Sequence, residues 1–172
     1  MSTLSRRHLV AALVALPALA RARSGEPRVL HFDHLHTGEK LEVEYFSGGR
    51  YLSDGLAAAN RLLRDFRTGD VGTVDPTLLD LLHALRERTG STQPYQIISG
   101  YRSPATNRML HERSSGVATK SLHMSGQAVD IRVADVPLAR LREAALSLQR
   151  GGVGFYPGSN FVHVDTGRVR AW

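Results

Sequence analysis

Two short stretches carry the residues whose types could do chemistry: Ser121 to Asp130, SLHMSGQAVD, and Phe161 to Gly167, FVHVDTG. The first holds His123 and Asp130, seven positions apart; the second holds His163 and Asp165. Brought together, His123, Asp130 and His163 would offer one zinc ion two imidazoles and a carboxylate and leave a fourth position for water. That is the ligand count of a catalytic zinc site, whereas a structural site closes all four positions with protein, usually cysteine. The sequence has no cysteine, so a thiolate-rich structural site is excluded. Spacing alone suits ordinary core or surface groups equally well, so the surrounding elements have to be read next.

His123 and Asp130 would share a face on a helix, but Ser125-Gly126 argues against one. A loop histidine folding back over a strand carboxylate fits better, because Ala128 to Val133 alternates as a strand. Phe161 to Asp165 reads as a second strand, with His163 and Asp165 on one side and Val162 and Val164 behind. Tyr95 to Ser99 is a further short strand, and Pro104 to about Arg113 a helix after it. Arg102 falls at that strand-to-helix junction, a place that presents side chains to a cleft or caps a surface turn.

Upstream, Arg28 to Phe46 alternates around Thr37-Gly38 and predicts a β-hairpin. Its histidines, His31, His34 and His36, spell H-x-x-H-x-H, but on a strand His31 falls on the face opposite His34 and His36. Exposed strand histidines are expected. Ser53 or Asp54 caps a helix to about Thr68, with Leu56, Ala59, Leu62, Leu63 and Phe66 on its inner stripe. Asp75-Pro76 starts another, and Gly90 stops it. Pro137 opens a last helix ended by Gly151-Gly152, and Val153 to Tyr156 is a strand.

The 172 residues suffice for one domain with a real core, and 42% hydrophobic with 22% charged residues is ordinary for a globular protein. The formal charge of +6 suits an acidic polymer such as cell wall. Nucleic acid is disfavoured, since no basic stretch is interleaved with aromatics. Arg6-Arg7, the apolar run Leu9 to Leu19 and the small-residue site Ala18-Leu19-Ala20 predict a cleaved twin-arginine export signal up to about Ala22. The run is too short for a comfortable membrane span and is broken by Pro17, so no stable membrane insertion is expected after cleavage. Residues 23–172 form the expected single domain.

The pattern S-x-H-x-x-G-x-A-x-D, formed by Ser121, His123, Gly126, Ala128 and Asp130, resembles the signature of zinc D-alanyl-D-alanine carboxypeptidases and murein endopeptidases. The phrases NRLLRDFRTGD, ISGYRSPATN, SLHMSGQAVDIR, LQRGGVGFYP and FVHVDTGRVRAW resemble more closely the YcbK-like, or MepK-type, murein endopeptidases of the periplasm. The resemblance implies that His123, Asp130 and His163 ligate Zn2+ and that Arg102 binds substrate or steadies the tetrahedral intermediate. It implies a periplasmic hydrolase acting on peptidoglycan stem-peptide cross-links, with both D-Ala–diaminopimelate and diaminopimelate–diaminopimelate bonds open. The expected fold is α+β: a small, mostly antiparallel sheet with packed helices and a zinc cleft, as in the hedgehog and D-Ala-D-Ala-peptidase group.

One position departs from the pattern. The carboxypeptidases carry a glutamate, which serves as general base, three residues before the last histidine ligand; Asn160, which cannot take a proton, stands there. Asp165 is the first candidate for the base, with orientation of His163 as its equal alternative, and His111 is a further candidate. The competing readings are a carboxypeptidase or dipeptidase of the same chemistry, and a non-catalytic zinc-stabilised module that binds wall.

Overall fold

The computed structural model describes residues 25–113 and 118–172. The expected export signal lies outside these residues, as does most of the polar loop after Arg113. Four helices and one eight-stranded sheet make up the described fold, which is α+β. The strands are β1 (Arg28–His34), β2 (Lys40–Ser47), β3 (Arg50–Tyr51), β4 (Tyr95–Ser99), β5 (Ala128–Val133), β6 (Gly152–Tyr156), β7 (Phe161–Asp165) and β8 (Arg170–Ala171). Their order across the sheet is β3-β2-β1-β4-β5-β7-β6-β8. All neighbours are antiparallel except β1 with β4 and β6 with β8.

Period-two alternation sorts the central strands into two faces. Leu30, Phe32, Ile97, Val129, Ile131, Val162 and Val164 are fully buried on the apolar face. Helix α2 (Pro76–Thr89) contributes Leu78, Leu79, Leu82 and Leu85 to that core, and α4 (Leu138–Leu148) contributes Leu141 and Ala145. Asp130, His163 and Asp165 occupy the alternate positions and face the other way. Asp75 caps α2 by accepting from Thr77 N–H at 2.9 Å, and Gly90 ends it at φ 71°. No helix among the described residues is long and apolar enough to cross a membrane.

Three expectations are corrected. Helix α1 runs only Ser53–Leu62, and Leu52 sits at its N-cap without a side-chain cap. Tertiary docking stops it: the Leu63 carbonyl accepts from Tyr101 N–H at 2.6 Å, and a side chain on Gly100 would collide with that carbonyl. Helix α4 ends at Gln149, which takes φ 52°, before the two glycines. His34 is buried, because it continues the inward face of Leu30 and Phe32, while His36 lies in the turn and stacks on Phe66 at 4.0 Å.

The early end of α1 positions the site. Buried Asp65 accepts from Ser103 N–H at 2.9 Å and Arg67 N–H at 3.0 Å. This ties the turn after α1 to the Gly100–Ser103 loop that leads into α3 (Pro104–Arg113) and carries Arg102. Burial works against the Asp65 carboxylate, but its hydrogen bonds from Thr106, Ser103 and Arg67 lower its pKa overall. Replacing a buried acceptor leaves its donors unsatisfied, at about 1–3 kcal/mol. Asp65→Ala is therefore expected to lower the unfolding free energy by roughly that amount in urea denaturation; an unchanged midpoint would remove Asp65 from this role.

Candidate metal centre

β5 and β7 are adjacent and antiparallel, and their register pairs Asp130 directly with His163. Two ladder steps along, and so on the same face, Ala128 pairs with Asp165. His123 arrives from a 3-10 turn, Leu122–Ser125, that Ser121 caps and Gly126 ends at φ 67°. A side chain on Gly126 would meet the Thr73 backbone, so glycine is needed there for close approach as well as for φ. The turn folds His123 back over the β5 carboxylate, as the sequence suggested.

The three residues converge. His163 Nδ1 lies 2.8 Å from Asp130 Oδ1, His123 Nε2 lies 3.2 Å from His163 Nδ1, and His123 Nε2 lies 3.4 Å from Asp130 Oδ1. All three residues are buried, and they are the one group of this kind among the described residues. The edges of a tetrahedron of ligands around zinc measure about 3.3 Å for bond lengths of about 2.0–2.1 Å. The triangle of donors therefore has the size of one face of such a tetrahedron.

The outward ring nitrogens decide which lone pairs point inward. His123 Nδ1 is 2.8 Å from the Gly100 carbonyl oxygen, which can only accept, so Nδ1 carries the proton. His163 Nε2 is 3.1 Å from Asp165 Oδ2. Asp165 is fully buried and also accepts from Gly152 N–H, Gly167 N–H and both Nη atoms of Arg170. Burial opposes its charge, yet these hydrogen bonds hold its pKa well below the usual carboxylate range. An ionised Asp165 accepts the Nε2 proton of His163. In neutral rings both inward nitrogens then bear lone pairs, facing each other and a carboxylate oxygen with no hydrogen to share. That arrangement calls for a cation, and two imidazole nitrogens with one carboxylate oxygen form a donor set suited to zinc.

Protons compete for the same place. Despite burial, His163 has its pKa raised above the ordinary imidazole value by hydrogen bonds to Asp130 and Asp165. Despite its own burial, Asp130 is held well below the usual carboxylate range by His123 and His163.

Around the centre is a cleft of about 490 Å3. Arg102 lines it, with Nη2 3.8 Å from Asp130 Oδ2, Nη1 3.4 Å from Asn107 Oδ1 and a buried Nε that has no hydrogen-bond partner among the described residues. Burial lowers the Arg102 pKa, and Asp130 offsets this only in part. Asn160 lies outside this cleft: exposed at φ 55°, it lines a separate hollow with Gln96 and Arg132. His111, exposed on α3, is not among the residues lining the cleft. Tyr156, Phe161, Arg170, Trp172 and Lys120 do line it, and sequence reasoning singled out none of them. For Tyr156 the available signal was period two, since Gly152, Gly154 and Tyr156 share a face of β6; Arg170 and Trp172, in and just after the two-residue β8, had no such signal.

Comparison with known families places the chain among peptidases of the M15 metallopeptidase class. Residues 22–172 match the Peptidase M15_2 family, described as peptidoglycan L,D-endopeptidase MepK. Peptidoglycan L,D-endopeptidase MepK of Escherichia coli K12 is 46% identical over 164 residues, covering 95% of this chain and 90% of that protein. The probable peptidoglycan L,D-endopeptidase MepK of Haemophilus influenzae is 41% identical over 155 residues, covering 90% and 83%. The chain belongs to the MepK family. Among solved structures, the L-Ala D-Glu endopeptidase ChiX of Serratia marcescens matches 45% of this chain and 62% of its own at 25% identity, with a TM-score of 0.36.

A zinc ion at this centre would bind the neutral ring of His163, so its affinity is expected to fall as pH drops below that residue's raised pKa. The expected slope there is about tenfold per pH unit for each proton displaced. Chelator competition at several pH values measures it; affinity independent of pH from about 5 to about 8 would contradict the tautomers assigned here.

Proposed function

We propose that the protein is a zinc-dependent peptidoglycan endopeptidase of the periplasm, hydrolysing an L,D bond in the cross-links between stem peptides. The observation that carries this is the convergence of His123 Nε2, Asp130 Oδ1 and His163 Nδ1 within 2.8–3.4 Å in an accessible cleft. The substrate class comes from the relatives, both named as peptidoglycan L,D-endopeptidases. Of the two bonds the sequence left open, the relatives' L,D designation supports diaminopimelate–diaminopimelate, because a D-alanyl donor presents the carbonyl of a D-configured residue. The periplasmic location rests on Arg6-Arg7 and the apolar run after it.

His123, Asp130 and His163 would hold the zinc ion, which supplies Lewis acidity toward water and the scissile carbonyl. The remaining steps belong to the chain. Gly100 O and Asp165 fix the two imidazoles so that both inward nitrogens stay available. Asp165 acts by orienting His163: it is buried, saturated with donors and does not line the cleft, so it is badly placed to take a proton from water. Arg102 has less counter-charge than its burial asks for and an Nε without a hydrogen-bond partner among the described residues, the electrostatic condition for holding a substrate carboxylate or a developing oxyanion. Tyr156 accepts from Trp172 Nε1–H at 2.7 Å, which leaves its own hydroxyl proton free to donate. Tyr156 and Phe161, stacked at 4.6 Å, offer the apolar surface on which a stem peptide would lie.

The test is a digest of cross-linked murein by the mature protein, with and without chelator, read by mass spectrometry. Chelator-sensitive loss of diaminopimelate-linked dimers with gain of intact monomers is expected, and His123→Ala should abolish it. Loss of a terminal residue only would favour the carboxypeptidase; no product from zinc-loaded protein would favour the wall-binding module. Asp165→Asn is expected to weaken zinc binding roughly 10–100-fold; zinc held at full affinity with slowed turnover would make Asp165 the base instead.

A further inference from the structure

Among the strands framing the centre, β6 has a bare face. Gly152, Gly154 and Tyr156 occupy its cleft side, so two of the three positions carry no side chain. Parallel register sets Arg170 of β8 beside Gly152, and antiparallel register sets Gly154 beside His163 of β7. A Cβ on Gly152 would collide with the Arg170 guanidinium and the Asp165 carboxylate. A Cβ on Gly154 would lie 2.8 Å from ring carbons of Trp172 and Tyr156. Side chains of the outer strand therefore lie across the trough left by these glycines and reach the strand beyond.

Each of the two reaches His163 by its own route. Arg170 grips Asp165 with both Nη atoms, at 3.1 Å to Oδ1 and 2.7 Å to Oδ2, and Asp165 in turn holds His163 Nε2. The Trp172 ring lies 5.3 Å from the His163 ring, tilted by 50°. The pair is itself tied together: the Arg170 guanidinium sits 4.7 Å over the Trp172 ring, and Trp172 Nε1 donates to Tyr156. Backbone pairing holds Trp172 in place, since Trp172 N–H donates to Val153 O and Phe155 N–H to Trp172 O.

We propose that Arg170 and Trp172 are positioning residues for the metal centre, reaching across the Gly152–Gly154 trough to hold His163 in the ring orientation and tautomer that present Nδ1 to a cation. The cation in that statement rests on the zinc reading given above; the hold on the ring does not. A merely structural Arg170–Asp165 ion pair would stabilise the strand edge and leave the His163 tautomer and the zinc affinity alone. A planar, two-pronged donor matters here because it engages both carboxylate oxygens at once, which a lysine cannot do.

The experiment uses the full mature chain as unmodified protein, Arg170→Ala and Trp172→Ala. Two quantities are read: the nitrogen NMR signals of the His163 ring in metal-free protein at a pH where the ring is neutral, and zinc affinity by chelator competition. For Arg170→Ala the zinc dissociation constant should rise roughly 10–100-fold, and His163 should lose its single Nε2–H tautomer. Added guanidinium should restore part of both, where the same concentration of sodium chloride does not. Trp172→Ala, at a half-exposed position, should shift both readouts in the same direction by less. The proposal is overturned if both variants, shown folded by unchanged near-ultraviolet circular dichroism, keep the zinc affinity and His163 signals of the unmodified protein. Should Arg170→Ala unfold, Trp172→Ala decides alone. If unmodified protein takes up no zinc, the proposed function fails, and the metal-free His163 signals still decide whether the ring is held.

Discussion

With both rings neutral, two imidazole lone pairs and a carboxylate oxygen meet with no hydrogen between them. Every nearby element bears on that constraint. The 3-10 turn at Leu122–Ser125 folds His123 back until its Nδ1 proton finds Gly100 O. The register of β5 against β7 sets Asp130 opposite His163. Asp165, one side chain further along the same face, takes the other imidazole proton. Neutral rings cannot satisfy the triangle by sharing hydrogens, because both ring protons are committed outward. A cation, or a further proton on His163, would complete the site. Removing two histidine nitrogens and a carboxylate from water is costly unless they are paired or coordinate a metal, which is why the cluster reads as a centre and not as a polar defect in the core.

The constraint reaches outward through layers of support. Leu63 and Asp65 hold the Gly100–Ser103 loop, which anchors His123 and carries Arg102. Gly152 and Gly154 give up side chains so that Arg170 and Trp172 can lie against Asp165 and His163. The apolar face of the sheet, packed on α2 and α4, holds the strands whose register sets Asp130 opposite His163. An active centre built on central strands is held more firmly than one built on loops; of the three donors, only His123 comes from a turn, and that turn is capped at both ends.

Legibility followed periodicity. Strands β5 and β7 alternate cleanly, so the faces bearing Asp130, His163 and Asp165 could be read without coordinates. Asp75-Pro76 and Gly90 marked the ends of α2, because capping chemistry is local. Non-local docking was hidden: nothing near Leu63 says that its carbonyl will accept from Tyr101, so α1 was read about six residues too long. Strand β8 has two residues and pairs in parallel with β6, too short a segment for any pattern to register. That hid Arg170 and Trp172, and with them the reason for two glycines on β6. His34 was expected on the surface because a strand pattern gives alternation but not which face is covered.

The most direct measurement is X-ray absorption at the zinc edge of the loaded protein, compared with His123→Ala and Asp130→Ala. The account predicts four light-atom ligands at about 2.0–2.2 Å, two of them imidazole and none sulfur, with the set disrupted in both variants. A fully hydrated six-coordinate ion, or a ligand set unchanged in either variant, would contradict it.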